Sequence, residues 1–267
     1  MASAEYHWVL ERGSWENETQ HILFLKQKKA YEYAATHVSG KHVLDYGVGS
    51  GFGTLVLSQH ASRVIGVDVF PKTIAFCKKF HRKPNTKFIR IRDSYTTPFP
   101  DNHFDVVTSF QVIEHVEDVE RYLYELHRVL KPGGTIIITT PNKGYRLLPF
   151  QKPWNDEHIR EYSKKGLQKE MGKVFPGVNI FAVSGAPEVV AIEHARVKQL
   201  PIHVYVLNPF KRIIKRLAPR VVRHISYKSD TNLAHTTQYY IPTYTTDDFC
   251  VQDDASDALD WVAVAEK

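Results

Sequence analysis

Short apolar runs, each closed by an acidic residue or a glycine turn, recur along the chain and alternate with segments of helical period. Val43-Leu44, Arg63–Asp68, Lys87–Ile91, the stretch ending at Val106-Val107, Thr135–Thr140, Val178–Val183 and Ala258–Val264 read as strands. Between them Leu55–Gln59, Pro71 to about His81 and Ser163 to about Val174 read as helices; Pro71 is a helix starter and Ser163 a cap. Residues 1–37 read as a helical segment capped by Asn17, in which Phe24 or Tyr31 is expected to matter to whatever lies beneath it. Strands alternating with helices predict an α/β fold, a doubly wound and mostly parallel sheet of seven strands.

The interval from Ser184 to Asp257 is far longer than an ordinary connection, so an insertion is expected between strands six and seven, placed as a cap over the ligand edge of the sheet. The pattern thus divides into a leading segment 1–37, a core 38–184, a cap 185–257 and a closing strand 258–267. Pro187 begins one cap helix. A second is expected over Pro209–Leu217, with Phe210, Ile213, Ile214 and Leu217 on one face and Lys211, Arg212, Lys215 and Arg216 on the other.

Charge changes this picture in one place. The chain of 267 residues carries a formal +6, and Ala195–Ser229 holds Lys and Arg but no Asp or Glu. The basic segment 209–223 suits an anionic membrane surface or a phosphate-bearing substrate, although any docked amphipathic helix shows the same polarity. The two cysteines lie far apart, and neither a signal segment nor an apolar run of spanning length is found, so a cytoplasmic protein is expected.

The candidate chemistry begins where the first strand breaks. His42–Thr54 reads strand, glycine turn, helix, and Gly47, Gly49 and Gly51 let the backbone approach a ligand beside a helix start. The spacing is G-x-G-x-G and not the dinucleotide G-x-G-x-x-G. Asp68, 21 residues after Gly47, ends the second strand where a carboxylate can accept from two ribose hydroxyls.

With Asp45 ahead of the glycines, this stretch resembles the first motif of the class I S-adenosylmethionine-dependent methyltransferases. The Pro-Phe-Pro-Asp loop at 98–101, Asp105 before paired valines, Glu114-His115 and Leu130-Lys-Pro-Gly-Gly134 match the same family, in its small-molecule, ubiquinone-pathway-like "type 11" branch. The resemblance covers Lys41–Lys143 and implies a Rossmann-like methyltransferase fold with a reversed last strand and S-adenosylmethionine as cofactor. It assigns cofactor binding to Asp45, Tyr46, Gly47, Gly49, Gly51, Asp68, Val69, Asp93, Ser94, Phe110 and Gln111, with Asp93 at the adenine amino group. Were 110–116 helical, Gln111, Glu114 and His115 would share one face. His115 is then the first candidate base and His158 its rival, though either can equally be a hydrogen-bonded packing residue. In the ubiquinone-pathway enzymes two glutamates and a histidine at this spacing can hold a divalent cation. Here Gln111 stands at the first position, and no metal is expected.

The expected reaction is methyl transfer to an oxygen or nitrogen nucleophile of a small-molecule or lipid- or sugar-linked acceptor. Methylation of a nucleic acid, a peripheral membrane enzyme and a non-catalytic binding module are the alternatives, nucleic acid being disfavoured because a long cap closes a pocket better than it leaves a groove.

Overall fold

The computed structural model describes residues 17–147, 151–153, 155, 157–201, 243–253 and 256–267. The expected helix over Pro209–Leu217, the basic segment 209–223, residues 1–16, Trp154 and Asp156 lie outside the described residues. In chain order the elements are α1 (Glu18–Ala35), β1 (His42–Tyr46), α2 (Phe52–Leu57), β2 (Arg63–Asp68), α3 (Pro71–Phe80), β3 (Thr86–Arg90), β4 (Phe104–Phe110), α4 (Val119–Val129), β5 (Leu130–Pro141), α5 (Lys143–Arg146), α6 (Lys164–Met171), β6 (Asn179–Gly185), α7 (Pro187–Pro201), β7 (Phe249–Gln252) and β8 (Asp260–Glu266).

The sheet runs β3-β2-β1-β4-β5-β8-β6-β7. The first five strands pair in parallel, and β8 is antiparallel to both β5 and β6. Strand order reverses at β1, whose neighbours are β2 and β4, and the crevice at such a reversal is where open α/β sheets take ligands. Among the described residues the sheet has eight strands where seven were expected. The addition is β7, which falls inside the anticipated cap and extends the edge by pairing antiparallel with β6. Its Cys-Val-Gln is too short and mixed to show an alternation, so tertiary pairing decides its state.

Burial explains why the strands read as continuous apolar runs. Along β1, Val43 turns to the face covered by α1 and α2, and Leu44 to the face covered by α4 and α6; Val64 and Ile65, Val106 and Val107, and Ile137 and Ile136 divide in the same way. Asn17 caps α1 by accepting from the Gln20 N–H at 3.0 Å, and Ser163 caps α6 by accepting from Gly166 at 3.1 Å, both as the sequence predicts. α2 begins at Phe52, three residues before the apolar pattern starts, because Gly51 at φ +88° turns the chain into it. A third cluster joins Ile22 and Leu25 of α1 to Val189 and Val190 of α7 and Phe249 of β7, so both ends of the proposed cap interval rest on the N-terminal helix.

Beneath the glycine turn lies Asp45, fully buried. Its carboxylate accepts from Thr54 Oγ1 at 2.6 Å, Thr108 Oγ1 at 3.0 Å and Tyr31 Oη at 3.3 Å. Burial pushes its carboxyl up to about 6, against the pull of these donors, and nearby Asp68 adds to the rise. A carboxyl held above its unfolded value of 3.8 contributes stability that is complete below that pH and lost as pH rises through 6. The unfolding free energy of D45N relative to wild type should therefore rise by about 2 kcal/mol between pH 4 and 7 in urea titrations; a flat difference would contradict the assignment.

Gly53 is the second constraint. A Cβ there would sit 2.0 Å from Tyr31 Cζ. We expect G53A to displace the Tyr31 ring and to cost about 1–3 kcal/mol in the same titrations.

Candidate functional site

A cavity of about 450 Å³ opens above the C-terminal ends of β1, β2 and β4, within the range of small-molecule sites. Its floor is the glycine turn. Gly47 and Gly49 have φ of +80° and +51°, and a Cβ on Gly47 would lie 2.3 Å from Val112 Cγ2, so only glycine lets the backbone form the wall there. Asp68 stands at the rim of the turn, accepting at Oδ2 from the Gly49 N–H (3.1 Å) and at Oδ1 from the Phe70 N–H (2.9 Å). Burial raises its carboxyl while these backbone donors lower it, and the side chain is locked against the cavity.

Of the expected cofactor residues, Tyr46, Gly47, Gly49, Asp68, Val69 and Ser94 line this cavity, as do Phe110 and Gln111. Three do not. Asp45 turns into the interior and serves the turn from below, through the hydroxyls already described. Gly51 sits behind the turn, where a Cβ would meet Cys77 Sγ and the His81 ring, both at 2.7 Å. Asp93 is exposed and caps its own loop, accepting from the Tyr95 N–H at 2.8 Å, so Ser94 and Ile91 form the wall in its place. Tyr31 and Phe52 border the cavity from above; Tyr31 packs on Phe110 with centroids 4.3 Å apart.

Downstream of β4 the chain departs from the helical reading. Gln111 has φ +56°, which ends the strand abruptly, and Ile113–His115 is a single 3-10 turn. Gln111, Glu114 and His115 therefore do not share a face. The Gln111 amide donates to Asp260 Oδ2 (3.1 Å) and Thr139 Oγ1 (3.4 Å), while Glu114 is driven inward to full burial. Its Oε2 accepts from Thr140 Oγ1 at 3.0 Å, its Oε1 has no hydrogen-bond partner among the described residues, and burial pushes its carboxyl up to about 8.

His115 lines the cavity and His158 packs edge-on against it, with ring centroids 4.7 Å apart. Both expected catalytic histidines are thus together, although only His115 is on the cavity wall. His115 Nδ1 donates to the Glu157 carbonyl (2.9 Å), and His158 Nδ1 donates to Glu161 Oε1 (3.0 Å), whose other oxygen accepts from Arg146 at 3.0 Å. Burial opposes ionisation of Glu161, yet His158 and Arg146 together hold its carboxyl below the ordinary value.

A buried ionic group adjoining the cavity was not anticipated. Lys26 of α1 reaches Asp260 Oδ1 at 2.8 Å and Glu193 Oε1 at 3.6 Å, and Arg196 closes on Glu193 with two bonds of 2.6 Å. Burial alone would lower the Lys26 ammonium, but Asp260, Tyr145 and Glu193 raise it above its usual value; Glu193 is pulled down to about 2, chiefly by Lys26 and Arg196 against its burial. Asp260 itself lines the cavity. The signal was present: Lys26 falls in the i, i+4 series Ile22, Lys26, Ala30, Ala34 on the buried face of α1 and must find a partner there.

Residues 44–138 match the family model described as a methyltransferase domain. A probable S-adenosylmethionine-dependent methyltransferase of Mycolicibacterium smegmatis is 36% identical over 138 residues, 52% of each chain. A phthiotriol/phenolphthiotriol dimycocerosates methyltransferase of Mycobacterium tuberculosis is 38% identical over 145 residues, 53% of each. The chain spans about half the length of the curated relatives it matches. Among solved structures, a possible histamine N-methyltransferase from Thermotoga maritima shares the fold at TM-score 0.57 and 17% identity with full coverage of both chains. The [4+2]-cyclase SpnF does so at 0.57 and 19%, over 95% of this chain and 86% of that one. No helix among the described residues is long and apolar enough to cross a membrane. The glycine turn and the family match agree that residues 44–138 are similar to class I S-adenosylmethionine-dependent methyltransferase domains of the type 11 family, and the sheet they build with β6, β7 and β8 shares the fold of these solved structures.

Proposed function

We propose that the cavity binds S-adenosylmethionine and that the chain transfers its methyl group to an oxygen or nitrogen nucleophile of a small, lipid- or sugar-linked acceptor. The observation that carries this reading is the convergence of the Gly47–Gly49 turn and the Asp68 carboxylate on one cavity at the strand-order reversal. Asp68 accepts from the two ribose hydroxyls. Val69, Ile91 and Ser94 border the adenine, and the turn's backbone follows the methionine portion towards Phe110 and Gln111. The reactive methyl then points to the end of the cavity where His115 stands.

Because the sulfonium already activates the methyl, the protein's main task is alignment of nucleophile, carbon and sulfur, worth up to about 7–11 kcal/mol. The acceptor's lone pair forms the new bond to carbon, the carbon–sulfur bond breaks with its electron pair remaining on sulfur, and the acceptor's proton leaves at the His115–His158 end. A lipid-linked acceptor is favoured by the relatives named for phthiotriol and phenolphthiotriol dimycocerosates and by the acid-free stretch Ala195–Ser229, which suits an anionic surface. α7, which opens the interval expected as a cap, is anchored on α1.

Isothermal calorimetry tests the cofactor step. Wild type is expected to bind S-adenosylmethionine, and D68N to bind it about 10- to 100-fold more weakly, since hydrogen bonds to a charged acceptor are worth about 1.5–3 kcal/mol. Incubation with lipid extracts should release S-adenosylhomocysteine together with an acceptor heavier by one methylene in mass spectra. Binding without release would assign the fold a different reaction, as the cyclase relative shows that the fold alone does not dictate one.

A further inference from the structure

We propose that Glu114, His115 and His158 form a site for a divalent cation of borderline softness, Zn²⁺ foremost, with a coordination position open to the cavity for an oxygen of the acceptor. One ligand atom from each of the three lies within 4.8 Å of the other two. A tetrahedral Zn²⁺ bound at about 2.0–2.1 Å holds its ligand atoms roughly 3.3 Å apart, so modest side-chain rotations close the set. Two imidazoles and one carboxylate leave a fourth position vacant, the arrangement of a zinc site that takes a substrate. Mg²⁺ and Ca²⁺ prefer all-oxygen shells and fit this donor set poorly.

Three independent features point to a ligand. Glu114 is fully buried, yet its Oε1 has no hydrogen-bond partner among the described residues, an expensive arrangement unless a cation completes it. His115 donates through Nδ1 to the Glu157 carbonyl, a backbone support of the kind that fixes the tautomer and orientation of ligating imidazoles. His158 donates through Nδ1 to Glu161, itself held by Arg146, which is the carboxylate–histidine support that orients ligating imidazoles and raises their basicity. The set is not the one implied by the ubiquinone-pathway resemblance. That triplet would use position 111, whereas the Gln111 amide is committed to Asp260 and Thr139, and His158 enters from 43 residues beyond His115.

Since His115 lines the cavity, a bound ion would act as a Lewis acid on an acceptor hydroxyl and favour its ionised form. The histidines are then ligands that activate the acceptor through the ion. The acceptor class narrows accordingly to oxygen nucleophiles, with hydroxyls beside a second oxygen donor preferred. This last step rests on the methyltransferase reading; the site itself does not.

The test is a metal titration of the full chain after chelator treatment, with Co²⁺ as the visible probe and Zn²⁺ as competitor. We expect one equivalent of Co²⁺ with the absorption bands of a nitrogen- and oxygen-ligated ion, displaced by Zn²⁺. E114Q and H158N should each weaken binding by at least about 100-fold, and E161Q, which leaves all three ligands in place, by about 10- to 100-fold. Circular dichroism melts verify folding, and if E114Q does not fold, H115N and H158N carry the comparison. A folded wild type that binds neither ion, or binding unchanged in the variants, overturns the site. S-adenosylmethionine titrations of the same samples keep the readings apart: cofactor binding without metal binding overturns the cation site alone, and metal binding without cofactor binding supports the site while overturning the methyltransferase reading.

Discussion

One buried acidic side chain organises the glycine-turn side of this molecule. Asp45, next to last in β1, has no access to solvent, and its compensation among the described residues comes from the hydroxyls of Tyr31, Thr54 and Thr108. Those donors belong to α1, α2 and β4, so satisfying a single carboxylate fixes the N-terminal helix, the helix after the glycine turn and the neighbouring strand relative to one another. Tyr31 reaches Asp45 only because Gly53 has no side chain, and from there it packs on Phe52 and Phe110. The cavity wall is thus set from beneath, by a residue that does not touch the cavity.

A second buried ionic set performs the same service on the other flank. Lys26, Asp260, Glu193 and Arg196 come from α1, β8 and α7, segments separated by more than half the chain. Replacing such a set by apolar side chains is often neutral or favourable, so its presence argues for orientation more than for stability. Removing Lys26 alone would leave the buried Asp260 without its ammonium partner, while Glu193 keeps Arg196. Asp260 also holds the Gln111 amide, and so the position of α1 is transmitted to the turn that follows β4.

Local chemistry explains which parts of this architecture could be read from the residues. The apolar runs of β1, β2, β4 and β5 announce strands covered on both faces, and Asn17 and Ser163 announce their helices, because each signal depends on neighbours in sequence. The glycine turn and Asp68 are legible for the same reason: their relation is set by a βαβ unit of nearly fixed length. β7 is not, since four mixed residues become a strand only when β6 is present to pair with them. Asp93 matches its motif in spelling, yet its side chain is taken by the nearest backbone N–H, a competition that spacing does not reveal. Lys26 could have been found from helical period, but its partners, 167 and 234 positions further on, could not.

The turn after β4 shows how one backbone angle alters the chemistry available to an otherwise familiar motif. In a helix, positions 111, 114 and 115 would present three polar groups to one ligand. The left-handed conformation of Gln111 instead ends β4 in a short 3-10 turn and sends its amide towards β5 and β8. Glu114 then points to the interior beside Thr140, where its remaining oxygen meets no hydrogen-bond partner among the described residues. His158 occupies that neighbourhood because the Ile159 and Arg160 N–H groups both bond the Glu114 carbonyl, while the Arg160 guanidinium bonds the Val116 and Glu117 carbonyls. The segment 157–162 is therefore laced to the turn by backbone as well as side chain. The glycine turn, Asp68 and the left-handed Gln111 all fall within the stretch matched over residues 44–138, whereas the loop that brings His158 to Glu114 lies beyond it.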